Sequence, residues 1–325
     1  MSQKYRAALA GLGNIAWRFD QKTDGVGIGL THASSYLKND RIEIVGGCSP
    51  EQEDRESFEK VYNVQSFRTI EEMLTAVKPD IVSICTPAEY HYDQVMFCLK
   101  QSIPMIWLEK PPTTSLADLD NLIRENGQPI GRSKILVNYQ RRFSESYIWL
   151  QSLYKDQTLG ACRLIQINYS RGLETNGSHL LDILFFIVGL EGEYRLKWVS
   201  DSRSVSPSFA LIFQNGFSAF VSGTELPYHN TDIMLTFDSG RASVLYGGVV
   251  RRIECKVEND LFPDFYRLAE SKIEHTDNGE IQCSMPEALS DLIEAYEDNR
   301  EPRSSLVTAR RTQKLMEEIR SHSIR

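Results

Sequence analysis

The feature that most constrains the fold is a repeated alternation of strand and helix signals over the first 140 residues. Short apolar runs at 5–12, 42–48, 64–67, 80–85, 104–109 and 134–139 read as strands buried on both faces. Helical patterns at 31–37, 51–61, 70–77, 90–100 and 115–126 separate them, the last opening with a Ser-x-x-Asp cap from Ser115 and Asp118. Such units join parallel strands through crossover helices, which predicts a doubly wound parallel α/β sheet.

After about residue 142 the rhythm changes. A helix at 144–154 leads to a strand at 163–170, a very apolar helix at 178–188, and strands at 195–200, 207–214, 217–224, 231–237, 241–247 and 250–258. "QNGF" (214–217) and "DSGR" (238–241) are turn signals between neighbouring strands. Helices are expected near 286–297 and 304–320. The 325 residues exceed what one core usually holds, so the expectation is two domains: 1–142, doubly wound, and 143–325, an α+β domain with a large, mostly antiparallel open sheet and helices on one side.

A net charge of −8 argues against nucleic acid as the partner. The basic residues are scattered pairs rather than blocks. No apolar run reaches the length of a membrane helix, and the first one is short and already holds a motif, so neither membrane span nor signal peptide is expected. Six cysteines without C-x-x-C spacing suit buried thiols in a reducing, cytoplasmic setting. His32, His229, His275 and His322 show no metal-ligand spacing, and no metal is expected.

Gly11-x-Gly13-x-x-Ala16 follows the first strand directly. The first glycine permits a tight turn, the second lets backbone approach a pyrophosphate, and the small third residue lets the helix pack close. A dinucleotide is the ligand this placement predicts; a plain glycine turn packing a helix is the alternative. The acidic residue expected about 20 positions on cannot be counted off, because 18–30 lengthen the next connection. Its place falls on Ser49, which neither supplies the carboxylate that favours NAD nor repels the extra phosphate of NADP, so the choice between NAD and NADP stays open.

In an open parallel sheet, ligands bind at the carboxyl ends of the strands. "CTPAEYH" (85–91) ends the fourth strand and "LEKPP" (108–112) the fifth. Pro111 steers Lys110 toward an extended conformation. A lysine fixed there and partly desolvated can exchange a proton with a substrate hydroxyl; a Glu109–Lys110 pair that merely closes a strand end is the plainer reading.

Gly11-Leu12-Gly13-Asn14-Ile15-Ala16, "SICTPAEYH", Glu109-Lys110-Pro111, "NYQRRF" (138–143) and "GSHLLDILFFIVG" (177–189) together resemble the glucose–fructose oxidoreductase / inositol dehydrogenase / MocA family. The resemblance implies a Rossmann domain holding NAD or NADP, with Gly11, Gly13, Asn14, Ile15, Ser49, Thr86, Pro87, His91, Glu109 and Lys110 on the cofactor side. It implies hydride transfer at a secondary alcohol or ketone of a sugar, nucleotide sugar or cyclitol, with Lys110 at the nicotinamide ribose and the substrate. It also implies a homodimer or homotetramer, for which an uncovered face of the second sheet is the expected surface.

The apolar helix at 178–188 carries a polar pair, His179 and Asp182, three residues apart and so on one face. Polar groups on a buried helix need partners or a cavity. A core His–Asp pair is one reading; the resemblance makes His179 an acid–base group, aided by Asp182. It also places an aspartate four residues before the histidine, where this chain has Thr175, beside Asn176. Gln140, Arg142 and Asn176 are candidate substrate contacts, Arg142 alternatively a brace at the domain junction. His91 packs near the nicotinamide or else begins a helix in solvent. Two further readings stay open: a non-catalytic, cofactor- or sugar-sensing co-regulator on the same fold, and a reductase of a non-sugar compound such as a pyrrole or cyclic dihydrodiol.

Overall fold

Six strands form the first sheet: β1 (Tyr5–Ala10), β2 (Ile42–Cys48), β3 (Ser66–Phe67), β4 (Ile81–Ile84), β5 (Met105–Leu108) and β6 (Lys134–Val137). In the computed structural model their order is β3-β2-β1-β4-β5-β6, and every pairing is parallel. The structure describes residues 4–21, 29–127, 132–189, 192–214, 216–276 and 279–322. The order reverses at β1, whose neighbours are β2 and β4, and this reversal opens a crevice at their carboxyl ends. Ile81, Val82 and Ile84, and Met105 through Leu108, are fully buried, as expected for strands covered on both faces. Thr31, Thr69 and Ser115 cap the helices His32–Leu37, Ile70–Val77 and Leu116–Asn126 by accepting from the backbone N–H three residues on.

The outer edge of β6 is closed from far along the chain. Leu136 bridges Ser305, and Val137 N–H donates to Ser304 O at 2.7 Å while the Ser304 hydroxyl donates to Val137 O. Leu306 and Ala309 enter the same core as Leu119, Leu122 and Ile135. One unit of the chain is therefore Met1–Gln140 with Gln282–Arg310; the other is Arg141–Ile281 with Arg311–Arg325. A boundary near 142 puts the whole C-terminal stretch in the second unit. The structure returns 282–310 to the first, because their apolar residues complete its core.

The second unit is built on eight strands: β7 (Cys162–Ser170), β8 (Tyr194–Val199), β9 (Phe209–Phe213), β10 (Ser218–Thr224), β11 (Thr231–Phe237), β12 (Gly240–Leu245), β13 (Val250–Glu258) and β14 (Tyr266–His275). Their order is β14-β13-β12-β11-β7-β10-β9-β8, antiparallel except for β7 with β10. Alternate residues point inward: Ile165, Ile167 and Tyr169 on β7, Ile233, Leu235 and Phe237 on β11. They share a core with the helix Ser178–Val188 and with Leu315, Met316 and Ile319. The opposite face carries Gln166 and Asn168 beside exposed Trp198, Ile212 and Phe220.

The "DSGR" signal is a two-residue hairpin, since Phe237 pairs with Gly240. Asn215 of "QNGF" lies outside the described residues. Strand β14 has no counterpart in the sequence pattern. Its residues are exposed almost throughout, so it is held by the ladder to β13 and shows no apolar alternation to read. The helix after the glycine turn begins as a π turn, Asn14–Arg18. Among the described residues no helix is long and apolar enough to cross a membrane.

Candidate active site

At the carboxyl ends of β1, β2 and β4 the first unit opens a cleft of about 830 Å³. Gly11 and Gly13 line it after β1, Ser49 and Asp54 beyond β2, and Thr86 and Pro87 after β4. The two glycines are required for different reasons. Gly11 has φ +86°, and a Cβ there would lie 2.8 Å from the backbone of both Cys85 and Thr86, so both conformation and close approach exclude a side chain. Gly13 has an ordinary φ of −87°, and a Cβ would meet nothing within 4 Å. Its bare backbone leaves the floor of the cleft open, which suits the approach of a pyrophosphate. Ala16 is fully buried, which accounts for the small third residue. The donor set and the cleft fit a nicotinamide dinucleotide.

Ser49 is mostly buried and donates from Oγ to Asp54 Oδ2 at 3.1 Å. Asp54 also pairs with Arg18 from the glycine-turn helix. A carboxylate thus stands beside the end of β2 from five residues later, on the first turn of the helix Gln52–Tyr62. Helical spacing brings it back to the strand end, a relation the position count from the glycines could not reveal.

His91 is buried, which removes the reading of a solvated helix start. Its Nδ1 lies 2.8 Å from Pro111 O and its Nε2 2.8 Å from Thr86 O, so it ties the β4 loop to the β5 loop. Burial lowers its pKa, and the two carbonyls act in the opposite sense. Thr86 in turn donates to Gln94 Oε1 at 2.7 Å.

The β5 loop carries Glu109, Lys110 and Pro111, with a cis Lys110–Pro111 peptide bond. Glu109 is nearly buried. Its Oε1 accepts from Asn138 Nδ2 at 2.5 Å and from His32 Nε2 at 3.1 Å, and its Oε2 accepts from the Lys110 backbone N–H at 3.2 Å. Burial disfavours the carboxylate, but the His32 and Asn138 hydrogen bonds and the Lys110 charge outweigh it and hold the pKa below the usual range. For Lys110 burial is the leading influence and lowers the pKa, while Glu109 raises it. The half-buried amine is therefore closer to losing its proton than a solvated lysine.

In the second unit His179 is half-buried near the start of the helix Ser178–Val188. Asp182 is fully buried. Arg142 Nε donates to Asp182 Oδ2 at 2.5 Å and Nη2 to Oδ1 at 2.7 Å. Arg142 and Asp182 are thus joined in a buried ion pair, with Thr312 also donating to Asp182. Burial raises the Asp182 pKa against the pull of the guanidinium.

Thr175 does not replace a carboxylate: its hydroxyl donates to Arg171 O and Gly172 O within its own π turn. Asn176 donates to Ser170 O at 2.9 Å and lies 3.0 Å from His229 Nδ1, whose Nε2 is 3.1 Å from Arg171. Gln140 opens a 3₁₀ turn, Gln140–Phe143, and is half-buried. Of the polar residues at these places, sequence reasoning leaves Asp54 unnamed, weighs His32 and His229 only for metal spacing, and includes Asn138 only within the "NYQRRF" segment.

Residues 25–127 match the model of the oxidoreductase family with an NAD-binding Rossmann fold. This part of the chain is similar to the Gfo/Idh/MocA oxidoreductases. The chain is 25% identical over 177 residues to a D-glucoside 3-dehydrogenase of Escherichia coli K12, a stretch covering 54% of this chain and 45% of that one. It is 23% identical over 162 residues to a myo-inositol 2-dehydrogenase of Thermotoga maritima, covering 50% and 44%. The matched stretches span less than half the length of these curated relatives. Among solved structures, a dehydrogenase from Chromobacterium violaceum superposes with a TM-score of 0.77 at 17% identity, over 98% of this chain and 94% of that one. This likeness shows the same fold through both units of the chain.

Proposed function

We propose that this chain is an NAD(P)-dependent oxidoreductase acting on a secondary alcohol or ketone of a sugar or cyclitol. The observation that carries the reading is Lys110, a half-buried lysine on a loop fixed by Glu109 and tied through His91 to the wall of the dinucleotide cleft. The bound nicotinamide would supply the hydride carrier. Lys110 would take the hydroxyl proton in oxidation and return it in reduction, helped by burial, which leaves its amine readier to exchange. The relatives named for a glucoside and an inositol support the substrate class. His179 is proposed as a second acid–base group on the strength of the family resemblance, with nucleotide sugars as a further substrate class.

Four cleft carboxylates, Glu51, Asp54, Glu71 and Asp93, stand against Arg68 among the described lining residues. That balance favours NAD(H) over the extra phosphate of NADP(H). The free thiols Cys48, Cys85 and Cys98 support a reducing, cytoplasmic setting, and the exposed apolar residues on the second sheet support a homodimer or homotetramer.

The test is Lys110→Ala. Turnover should fall at least ~10³-fold while NADH binding, followed by nicotinamide fluorescence, is kept; full turnover would remove the role. A second reading, a non-catalytic sugar sensor, draws on Thr175, whose hydroxyl is spent on its own turn. Reduced cofactor appearing when candidate sugars meet the NAD-loaded protein decides between them.

A further inference from the structure

Behind Glu109 lies a buried polar chain that the proposed chemistry does not use. Tyr36, Ser83 and His32 are at most 1% exposed. Tyr36 OH lies 2.6 Å from Ser83 Oγ, Ser83 Oγ 2.7 Å from His32 Nδ1, and His32 Nε2 3.1 Å from Glu109 Oε1. One proton arrangement satisfies every member. Burial raises the Tyr36 pKa, so the phenol keeps its proton and donates to Ser83. Ser83 then donates to Nδ1, and Nε2–H donates to Glu109. The imidazole is also packed against the Trp107 indole, ring centroids 4.0 Å apart. Trp107 Nε1 in turn donates to Asn138 Oδ1 at 3.2 Å. That bond sets the amide so that its Nδ2 faces Glu109. Two oriented donors therefore converge on Glu109 Oε1, leaving Oε2 for the Lys110 backbone.

We propose that His32 is a positioning residue for Lys110: by donating to Glu109 it keeps that carboxylate oriented, and so sets the direction of the Lys110 backbone and the place of the charge beside its amine. The inference rests on the proposed role of Lys110 for its meaning in catalysis, though not for its physical content. The groups that face this pair are His32 and Tyr36 from the helix His32–Leu37, Ser83 and Cys85 from the β4 end, His91 from the next helix and Asn138 after β6. Cys85 is a half-buried residue whose thiol pKa is raised by desolvation and by Glu109, so it stays neutral. Glu109 is the anion that supports the Lys110 ammonium. Removing the His32 donor leaves the carboxylate charged across the neutral and alkaline range but held on Oε1 by Asn138 alone, free to turn away from the Lys110 side. The Lys110 ammonium then loses part of the support of a fixed neighbouring charge and releases its proton at lower pH.

The experiment follows Lys110 without turnover. Trace acetylation by acetic anhydride, read by mass spectrometry across the neutral and alkaline range, reports the titration of this amine in the intact protein. In His32→Leu the midpoint should move down by about one pH unit, with kcat lowered more than KM for the cofactor. His32→Gln, which keeps a donor toward Glu109 and an acceptor toward Ser83, should restore most of the wild-type curve. Ser83→Ala deletes one hydroxyl, frees the imidazole tautomer and should shift the curve the same way by less; it decides the matter if His32→Leu does not fold. An unmoved or raised midpoint in the folded variants overturns the inference. If Lys110→Ala keeps full turnover, the proposed function falls, and the labelling curves still decide whether His32 governs Lys110.

Discussion

Arg142 and Asp182, forty residues apart, meet as a buried two-point ion pair on the helix that also carries His179. Asp182 is fully buried and Arg142 only 4% exposed; the Arg142 guanidinium also lies over the Phe186 ring, 5.5 Å from its centroid. Breaking one side strands a charge in an apolar core, which costs about 3–5 kcal/mol. Arg142→Ala and Asp182→Ala should each lose that much in urea unfolding. The double replacement Arg142→Met with Asp182→Leu should recover most of it, since the desolvation cost disappears with both charges.

The two cleft glycines should separate folding from binding. In Gly11→Ala the new Cβ meets backbone and the φ is unfavourable, so thermal stability should drop by several degrees. In Gly13→Ala the added methyl has free space, so stability should stay near wild type while NADH affinity falls at least ~10-fold. Melting curves and fluorescence titrations on the same samples check both.

The Asp54 carboxylate should set cofactor choice. The wild-type chain is expected to bind NADH more tightly than NADPH. Asp54→Asn removes one negative charge and loosens Arg18, so the preference should narrow by roughly 10-fold, about 1.4 kcal/mol. An unchanged ratio of the two dissociation constants would show that Asp54 does not face the ribose.

Glu109 predicts an acid limb of stability. Its folded-state pKa lies below the usual carboxyl value, so its contribution is complete above the unfolded pKa of about 4.3 and is lost as pH falls through the folded one. Unfolding free energy should decline below about pH 4.5 more steeply in wild type than in Glu109→Gln. Parallel curves for the two proteins would refute a charged Glu109 in the fold.

Phe220 lies on the exposed sheet face, third strand from the β8 edge and 53% exposed, with Ile212 on the adjacent strand and Trp198 beyond it. If that face joins copies of the chain, light scattering should give a dimer or tetramer for wild type and a smaller species for Phe220→Glu. A wild-type monomer would sink the expectation.

Local order was legible because it depends on neighbours in the chain. The strand and helix alternation, the Ser115 cap, the two-residue hairpin at Asp238 and Ser239, and the glycine turn all follow from periodicity and backbone freedom within a few residues. Lys110 could be singled out for the same reason: a strand end followed by proline is a local signature.

Strand β14 was not legible, because its pairing with β13 leaves little buried surface and hence no alternation. The return of residues 282–310 to the first core, the partnering of His32 with Glu109 across 77 positions and the commitment of Asp182 to Arg142 were likewise out of reach. By itself the sequence determined the elements with apolar periodicity, the glycine turn and the class of ligand it admits. Only the tertiary structure decided which buried polar groups meet. A buried charge or imidazole must find a partner wherever the chain's packing brings one, and that meeting depends on the whole fold rather than on spacing along the chain.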